Sequence, residues 1–210
     1  MIEPDFILAS ASPRRKELIA LAGIDAEIVP SMAKEDIVCD DPEQLVLQLS
    51  QKKALEVAER VKNGSVVIGA DTCVYVPVRG KGAHGGTCHG GTILGKPHTH
   101  EEAANMVRML SGDVHSVFTG VTIAQYTHAG TRLKIRSFVE ETRVHVFPIT
   151  EAEIREYADS DEPMDKAGAY GIQGAFARFI ERLEGDYFNV MGLPVGRLYR
   201  EIRDFTETVS

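Results

Sequence analysis

Apolar positions along this chain fall into two kinds of pattern, short continuous runs and helically spaced series. Phe6, Ile7 and Leu8 make the first run, which reads as a short buried strand. Ala9 to Ser12 read as a tight connection, and Ser12 followed by Pro13 reads as an N-cap with proline at the first helical position. Leu18, Leu21 and Ala22 then recur at helical spacing and predict the inward face of that helix, with Gly23 placed to stop it. "AEIV" reads as a second strand, and Pro42 to about Val61 as a helix with Leu45, Val46, Leu49, Ala54, Leu55 and Ala58 inward. "SVVIGADTCVYVPV" is the strongest strand signal, and "EEAANMVRML", Glu101 to Leu110, is an amphipathic helix ending near Gly112. "HSVFTGVTIAQY" and "LKIRSFVEETRVHVF" predict two long strands of an antiparallel pair. Thr150 and Glu153 form a capping box for a helix from Glu151 to Ala158. "ARFIERLEGDYFNVM" reads as two short strands around Glu184, Gly185 and Asp186, and Pro194 opens a last helix with Val195, Leu198, Ile202 and Phe205 inward. Alternation early and sheet pairing later predict an α/β fold with a mixed sheet, and no internal repeat is visible.

Composition narrows the partners. The 210 residues suffice for one large domain or two small ones, and 43% hydrophobic with 26% charged residues is the balance of a soluble globular protein. A formal net charge of -8 argues against broad nucleic-acid binding but leaves room for a local basic pocket. No apolar run approaches membrane-spanning length, and the acidic "MIEPDF" start lacks the charged region of a secretory signal. Cys39, Cys73 and Cys88 are odd in number and lack zinc-like spacing, so free thiols in a reducing cytoplasm are expected. One segment is glycine-rich, from Val78 to Pro97, and holds His84, Cys88 and His89. A zinc clip there competes with a flexible insertion, and composition favours the insertion.

Several polar clusters carry candidate chemistry. Arg14, Arg15 and Lys16 crowd the positive end of a helix dipole, where acids would stabilise by roughly 0.3 to 1 kcal/mol each. Free backbone N–H groups with two guanidiniums make a phosphate cradle, the alternative being arginines that are solvated or paired with Glu17. "GADT" places Asp71 where an apolar strand is expected to emerge, as a candidate base or metal ligand, or as an acid making a turn with Thr72. "ILGKP" offers Lys96 on a loop tip, a point charge for phosphate or a solvated lysine. "DEPMDKAGAYGIQG" sets Lys166 before three glycines, a backbone that can approach a ligand closely. Its Gln173 offers the donor and acceptor that reading a base edge requires. His115 reads as a structural histidine at a strand start. None of these clusters is a Walker A loop or a GxGxxG fingerprint. Together the clusters supply cations, acids and bare backbone, the requirements of metal-assisted attack on a polyphosphate.

"LASASPRRKEL", "VIGADT", "LGKP", "SGDVHSVFTGV", "EPMDKAGAYGIQG" and "GDYFNVMGLPV" resemble, in order and spacing, the motifs of the Maf family of nucleoside triphosphate pyrophosphatases, once called septum formation inhibitors. The similarity runs from about Phe6 to Phe205, and the long "DKAGAYGIQG" is similar to the branch that hydrolyses dTTP and UTP. The resemblance implies a single domain over 1–210 with an insertion at about 78–93. Its fold would be a mixed, elongated sheet flanked by helices, with two lobes and a cleft between them, like the inosine triphosphatases. It implies release of pyrophosphate to leave a nucleoside monophosphate, with Mg²⁺, Mn²⁺ or Co²⁺, in a cytoplasmic homodimer that clears non-canonical nucleotides. It matches Asp71 to the proton acceptor, Arg14, Thr72 and Gln173 to base preference, and Ser10, Arg15, Lys53, Lys96 and Lys166 to phosphate-holding positions. Glu35 matches an acid near the metal; because "SMAKED" carries fewer acids than relatives usually do, that role can slip to Asp36. The insertion before "ILGKP" either swings Lys96 or shields the cleft.

The mechanism expected from this is a divalent cation bridging the triphosphate to Asp71 and Glu35, with Lys96 assisting and a polarised water attacking the α-phosphorus. Two rivals stand beside it: a pyrophosphatase for modified purine or 7-methyl-GTP nucleotides, and a non-catalytic nucleotide-binding regulator of division.

Overall fold

A computed structural model describes residues 5–78, 90–126 and 132–207. In chain order the elements are β1 (Phe6–Leu8), α1 (Pro13–Leu21), β2 (Ala26–Ile28), α2 (Pro42–Val61), β3 (Val66–Val76), β4 (Thr92–Leu94), α3 (His100–Leu110), β5 (Val114–Tyr126) and β6 (Leu133–Val146). They continue with α4 (Glu151–Ala158), three short 3₁₀ turns between Glu162 and Phe179, β7 (Ile180–Glu184), α5 (Tyr187–Met191) and α6 (Val195–Glu207). One mixed sheet results, in the order β2-β1-β3-β5-β6-β7, with β4 paired to β3. β1 runs parallel to both β2 and β3, while β3, β5, β6 and β7 pair antiparallel.

Local sequence accounts for most of these elements. The Ser12 hydroxyl accepts from Arg15 N, and Pro13 sits in the first turn, so α1 starts where its cap permits. Asp41 caps α2, and the Thr150–Glu153 capping box closes as expected on α4. Two expectations fail. Leu21 is 61% exposed, and the neighbour Ile19 takes the buried place beside Leu18. The second strand expected after Asp186 is instead the short helix α5, because the Asp186 carboxylate caps Phe188 N and Gly192, at φ +114°, ends the turn.

β3 organises the core because it is longer than the strand beside it. Its residues Val66–Ile68 pair with β1 and Val74–Val76 with β4, so Gly69 to Cys73 have one edge without a strand partner among the described residues. Alternate side chains point to opposite faces of the sheet. On one face, Val66, Ile68 and Ala70 join a core with α1 and α6, while Val74 and Val76 join a second core with α3 and α4. Thr72 falls between the two cores, so the two-lobed arrangement comes from one polar position in an apolar row. On the other face α2 lies along the sheet.

The close seat of α2 depends on glycines. A Cβ on Gly69 would meet Ser50 O at 2.5 Å and Ala54 N at 2.7 Å, and one on Gly120 would meet Val46 O at 2.3 Å. Any side chain at either position must push the helix backbone away, and α2 carries Lys53. Gly69→Ala is expected to destabilise the fold by about 1–3 kcal/mol, the usual range for overpacking. At ~2–4 °C per kcal/mol for a domain of this size, thermal unfolding should record the drop. A midpoint equal to wild type would show that α2 does not rest on Gly69.

Candidate active site

The "ASPRR", "GADT", "LGKP", "DKAGAYGIQG" and "YFNVMGL" segments meet around Thr72. Arg15 is the centre of that meeting: its Nε donates to Gly192 O at 2.9 Å, its Nη2 to Thr72 Oγ1 at 2.9 Å, and its Nη1 lies 3.5 Å from Ser10 Oγ. Thr72 Oγ1 also lies 3.0 Å from Thr119 Oγ1, which donates to Asn189 O. The two arginines of α1 thus reach partners far along the chain rather than Glu17. Burial draws the Arg15 guanidinium below its ordinary pKa, and the charges of Asp71 and Glu35 oppose the shift. Arg14 approaches Asp165 at 3.7 Å.

A cavity opens beside Thr72, lined by Arg14, Arg15, Lys96, Tyr170 and Gln173 among others. The "LGKP" tip is tied to the "DKAG" segment by Gly168 N–H donating to Gly95 O at 2.9 Å, which brings Lys96 to the cavity. Lys166 also lines it, with its Nζ on Asp165 Oδ1 and Glu162 O.

Asp71 occupies the middle of β3, opposite Gly120 on β5, and not the end of a strand as its setting in "GADT" suggested. The exit that matters is that of β1, which stops beside Ile68. Being next to Thr72 in a strand, Asp71 faces the other way, toward α2. There Lys53 Nζ lies 2.5 Å from Asp71 Oδ1 and 2.6 Å from Glu35 Oε1. One ammonium therefore holds both carboxylates. Asp36 pairs instead with Lys52, on the exposed side of the same loop, so Glu35 is the acid placed beside Asp71. The cavity and the acid pair lie on opposite faces of β3, on either side of its open edge at Gly69 to Cys73.

The matching family model, described as Maf-like protein, covers residues 5–205. The chain belongs to the Maf family. A dTTP/UTP pyrophosphatase of Carboxydothermus hydrogenoformans is 47% identical to it over 198 residues, 94% of this chain and 97% of that protein. One from Bacillus mycoides is 44% identical over 205 residues, 97% of each chain. One from Lachnoclostridium phytofermentans is 40% identical over 199 residues, 95% of this chain and 94% of the other.

The structure brings together Ser10, Arg15 and Thr72 as one hydrogen-bonded group, Lys53, Asp71 and Glu35 as a second, and Arg14, Lys96, Lys166 and Gln173 as cavity lining. The sequence reading assigned no role to Gly192, Thr119 or Tyr170, although all three fall in motifs it singled out. The helix-ending glycine of "VMGLP" was the available signal for Gly192, since a left-handed glycine exposes its carbonyl to a neighbour. Among the described residues no group of three or more His, Cys, Asp or Glu side chains gathers, and no helix is long and apolar enough to cross a membrane. Cys39 is a free thiol, and the Cys73 thiol lies 3.9 Å from Pro42 O. Cys88, His84 and His89, the zinc candidates, lie outside the described residues, as does most of the expected 78–93 insertion.

The Glu35 carboxyl is held below its ordinary pKa, first by the hydrogen bond from Lys53, with burial opposing and the charges of Lys53, Lys96 and Arg15 adding to it. A depressed carboxylate lends stability above its unfolded pKa, near 4.3, and that stability is lost as the pH falls through the folded value. Urea unfolding between about pH 5 and pH 3 should therefore show a shallower loss of stability in Glu35→Gln than in wild type. Parallel curves for the two proteins would mean that the Lys53 contact does not form in solution.

Proposed function

We propose that this chain is a nucleoside triphosphate pyrophosphatase acting on dTTP and UTP, the activity for which its relatives are named, releasing pyrophosphate and a nucleoside monophosphate. The observation that carries the reading is Arg15. It is a largely buried cation whose hydrogen-bond partners, Gly192 O, Thr72 and Ser10, are neutral, at the mouth of a cavity that also holds Arg14, Lys96 and Lys166. A desolvated charge without a contacting counter-ion attracts an anion, and in a protein with net charge -8 such a concentration of cations marks a place for one.

In this reading the base enters the cavity, where the Gln173 amide meets its edge, and the phosphates cross the open edge of β3 toward α2. Arg15, Lys96 and Lys53 offset the phosphate charge, the main contribution a protein makes to this chemistry. Asp71 accepts the proton of the water that attacks the α-phosphorus. The bond between the α-phosphorus and the bridging oxygen breaks, and pyrophosphate leaves. Asp71 and Glu35 suit a divalent cation: both are hard oxygen donors that already share one positive centre, and Mg²⁺ is commonly held by one or two carboxylates plus substrate phosphates. When bound, such an ion neutralises phosphate charge and lets both carboxylates remain ionised.

The experiment is pyrophosphate release from dTTP, UTP, ATP, GTP and 7-methyl-GTP with Mg²⁺. Turnover should favour the two pyrimidines and stop on addition of EDTA. Asp71→Asn should lose about 10²- to 10⁴-fold in kcat, the usual contribution of a general base, while still binding dTTP. Wild-type turnover in that variant would remove Asp71 from the role of base. Tight binding without turnover by the wild type would make the chain a nucleotide-binding regulator instead.

A further inference from the structure

Gln173 reaches the cavity from a turn that is fastened from behind. Gly174 N–H donates to Gly171 O at 3.2 Å, which puts Ile172 and Gln173 at the two central positions. Just past its end the turn is tied to a side chain of the preceding segment. Ala175 N–H donates to Glu162 Oε2 at 2.8 Å. The Tyr157 hydroxyl in turn donates to Glu162 Oε1 at 3.3 Å, so the two anchors form one unit.

The unit is rigid and closely fitted. Tyr157 is 2% exposed on α4, with its ring 5.3 Å from that of Phe176, and burial raises its pKa so that it keeps the proton it donates. A Cβ on Gly174 would fall 1.9 Å from Glu162 Oε1, so the carboxylate fills the space where position 174 would carry a side chain. Among the described residues that line the cavity neither Tyr157 nor Glu162 appears; Glu162 touches the turn, and Tyr157 touches Glu162.

We infer that Tyr157 and Glu162 are positioning residues that set nucleotide selectivity by fixing the turn that presents the Gln173 amide. The inference rests on the pyrophosphatase reading given above. A glutamine amide offers a donor at one end and an acceptor at the other, so the base it favours depends on how the backbone aims it. Hydrogen bonds weaken steeply with misalignment, and a turn held by Glu162 at its end removes that loss. The phosphates meet Arg15, Lys96 and Lys53, which the Tyr157–Glu162 pair does not touch; Glu162 meets Lys166 only through its main-chain carbonyl, which neither substitution below removes.

The test measures kcat and KM for dTTP, UTP, ATP and GTP in Tyr157→Phe, which keeps the ring, and Glu162→Gln, which keeps the shape. KM for the pyrimidines should rise about three- to tenfold, the cost of one misaligned neutral hydrogen bond, and preference over purines should narrow by a similar factor. kcat should stay within about twofold, since a lost uniform binding contact appears in KM. Adding Tyr157→Phe to Gln173→Ala should cause little further change, because the clamp acts through that amide. Unchanged KM and selectivity, kcat falling in step with thermal stability, or full additivity with Gln173→Ala would each overturn the inference. Should Tyr157→Phe fail to fold, Glu162→Gln gives the same readings. A wild type with no pyrimidine turnover overturns the pyrophosphatase reading and the clamp with it, whereas normal wild-type turnover with unaltered variants overturns the clamp alone.

Discussion

Because β1 ends at Leu8 while β3 runs on to Val76, five residues of β3 stand with one edge unpartnered among the described residues, and the geometry of the site follows from that mismatch. An unpaired edge usually invites another strand. Here it lies between the end of β1 on one side and the start of the β4 pairing on the other, so the gap is narrow. Strand alternation then sends Asp71 and Thr72 to opposite faces, one to the Lys53 side and one to the Arg15 side. Two adjacent residues thereby meet two different cations, and the open edge lies between them.

The polar seam at Thr72 has an energetic logic as well. Continuing the apolar row of Ile68, Ala70 and Val74 through position 72 would fuse the two cores into one and close the cleft. Hydroxyls at Thr72 and Thr119 hold the row open, and they are tolerated because they are satisfied: Thr72 by Arg15 and Thr119, and Thr119 by Asn189 O. On the far side His115 plays the matching part inside one core. Burial pushes its pKa down to about 3, so it is neutral, and its Nε2 pairs with the Tyr170 hydroxyl at the back of the cavity.

What the sequence disclosed was mostly local. The capping box of Thr150 and Glu153, the long amphipathic α2 and the two great strands β5 and β6 declare themselves because each is fixed by residues a few positions apart. α5 was concealed because Tyr187, Phe188 and Val190 favour strands, and its cap at Asp186 is a single-residue signal. Asp71 read as a strand exit because Gly, Asp and Thr weaken a strand pattern. The strand survives there since Gly69 admits α2 and Lys53 neutralises the acid, both of them tertiary facts. The contact from Arg15 to Gly192 spans most of the chain, and no periodicity could have announced it. Six ordered motifs nevertheless pointed to the family, because a site assembled from distant loops leaves its traces as separate polar islands in the sequence.

Arg15 shows why those islands break local rules. Cations at a helix N-terminus oppose the dipole, and burying one there adds a desolvation cost that Gly192 O, Thr72 and Ser10 only partly offset. Asp71 and Glu35 act on it through space, yet their direct bonds go to Lys53. Had either acid bonded Arg15 directly, the guanidinium would be neutralised before any substrate arrived. Leaving Lys53 to hold the acids keeps Arg15 fixed in place, oriented by neutral groups and short of a counter-charge. The stability forgone in the empty protein is then recovered on binding an anion, and only an anion that reaches past the cavity mouth recovers all of it. In the pyrophosphatase reading proposed above, that asymmetry would favour a ligand with a long, highly charged tail over a monophosphate, so the arrangement that draws in a triphosphate would release the shortened product.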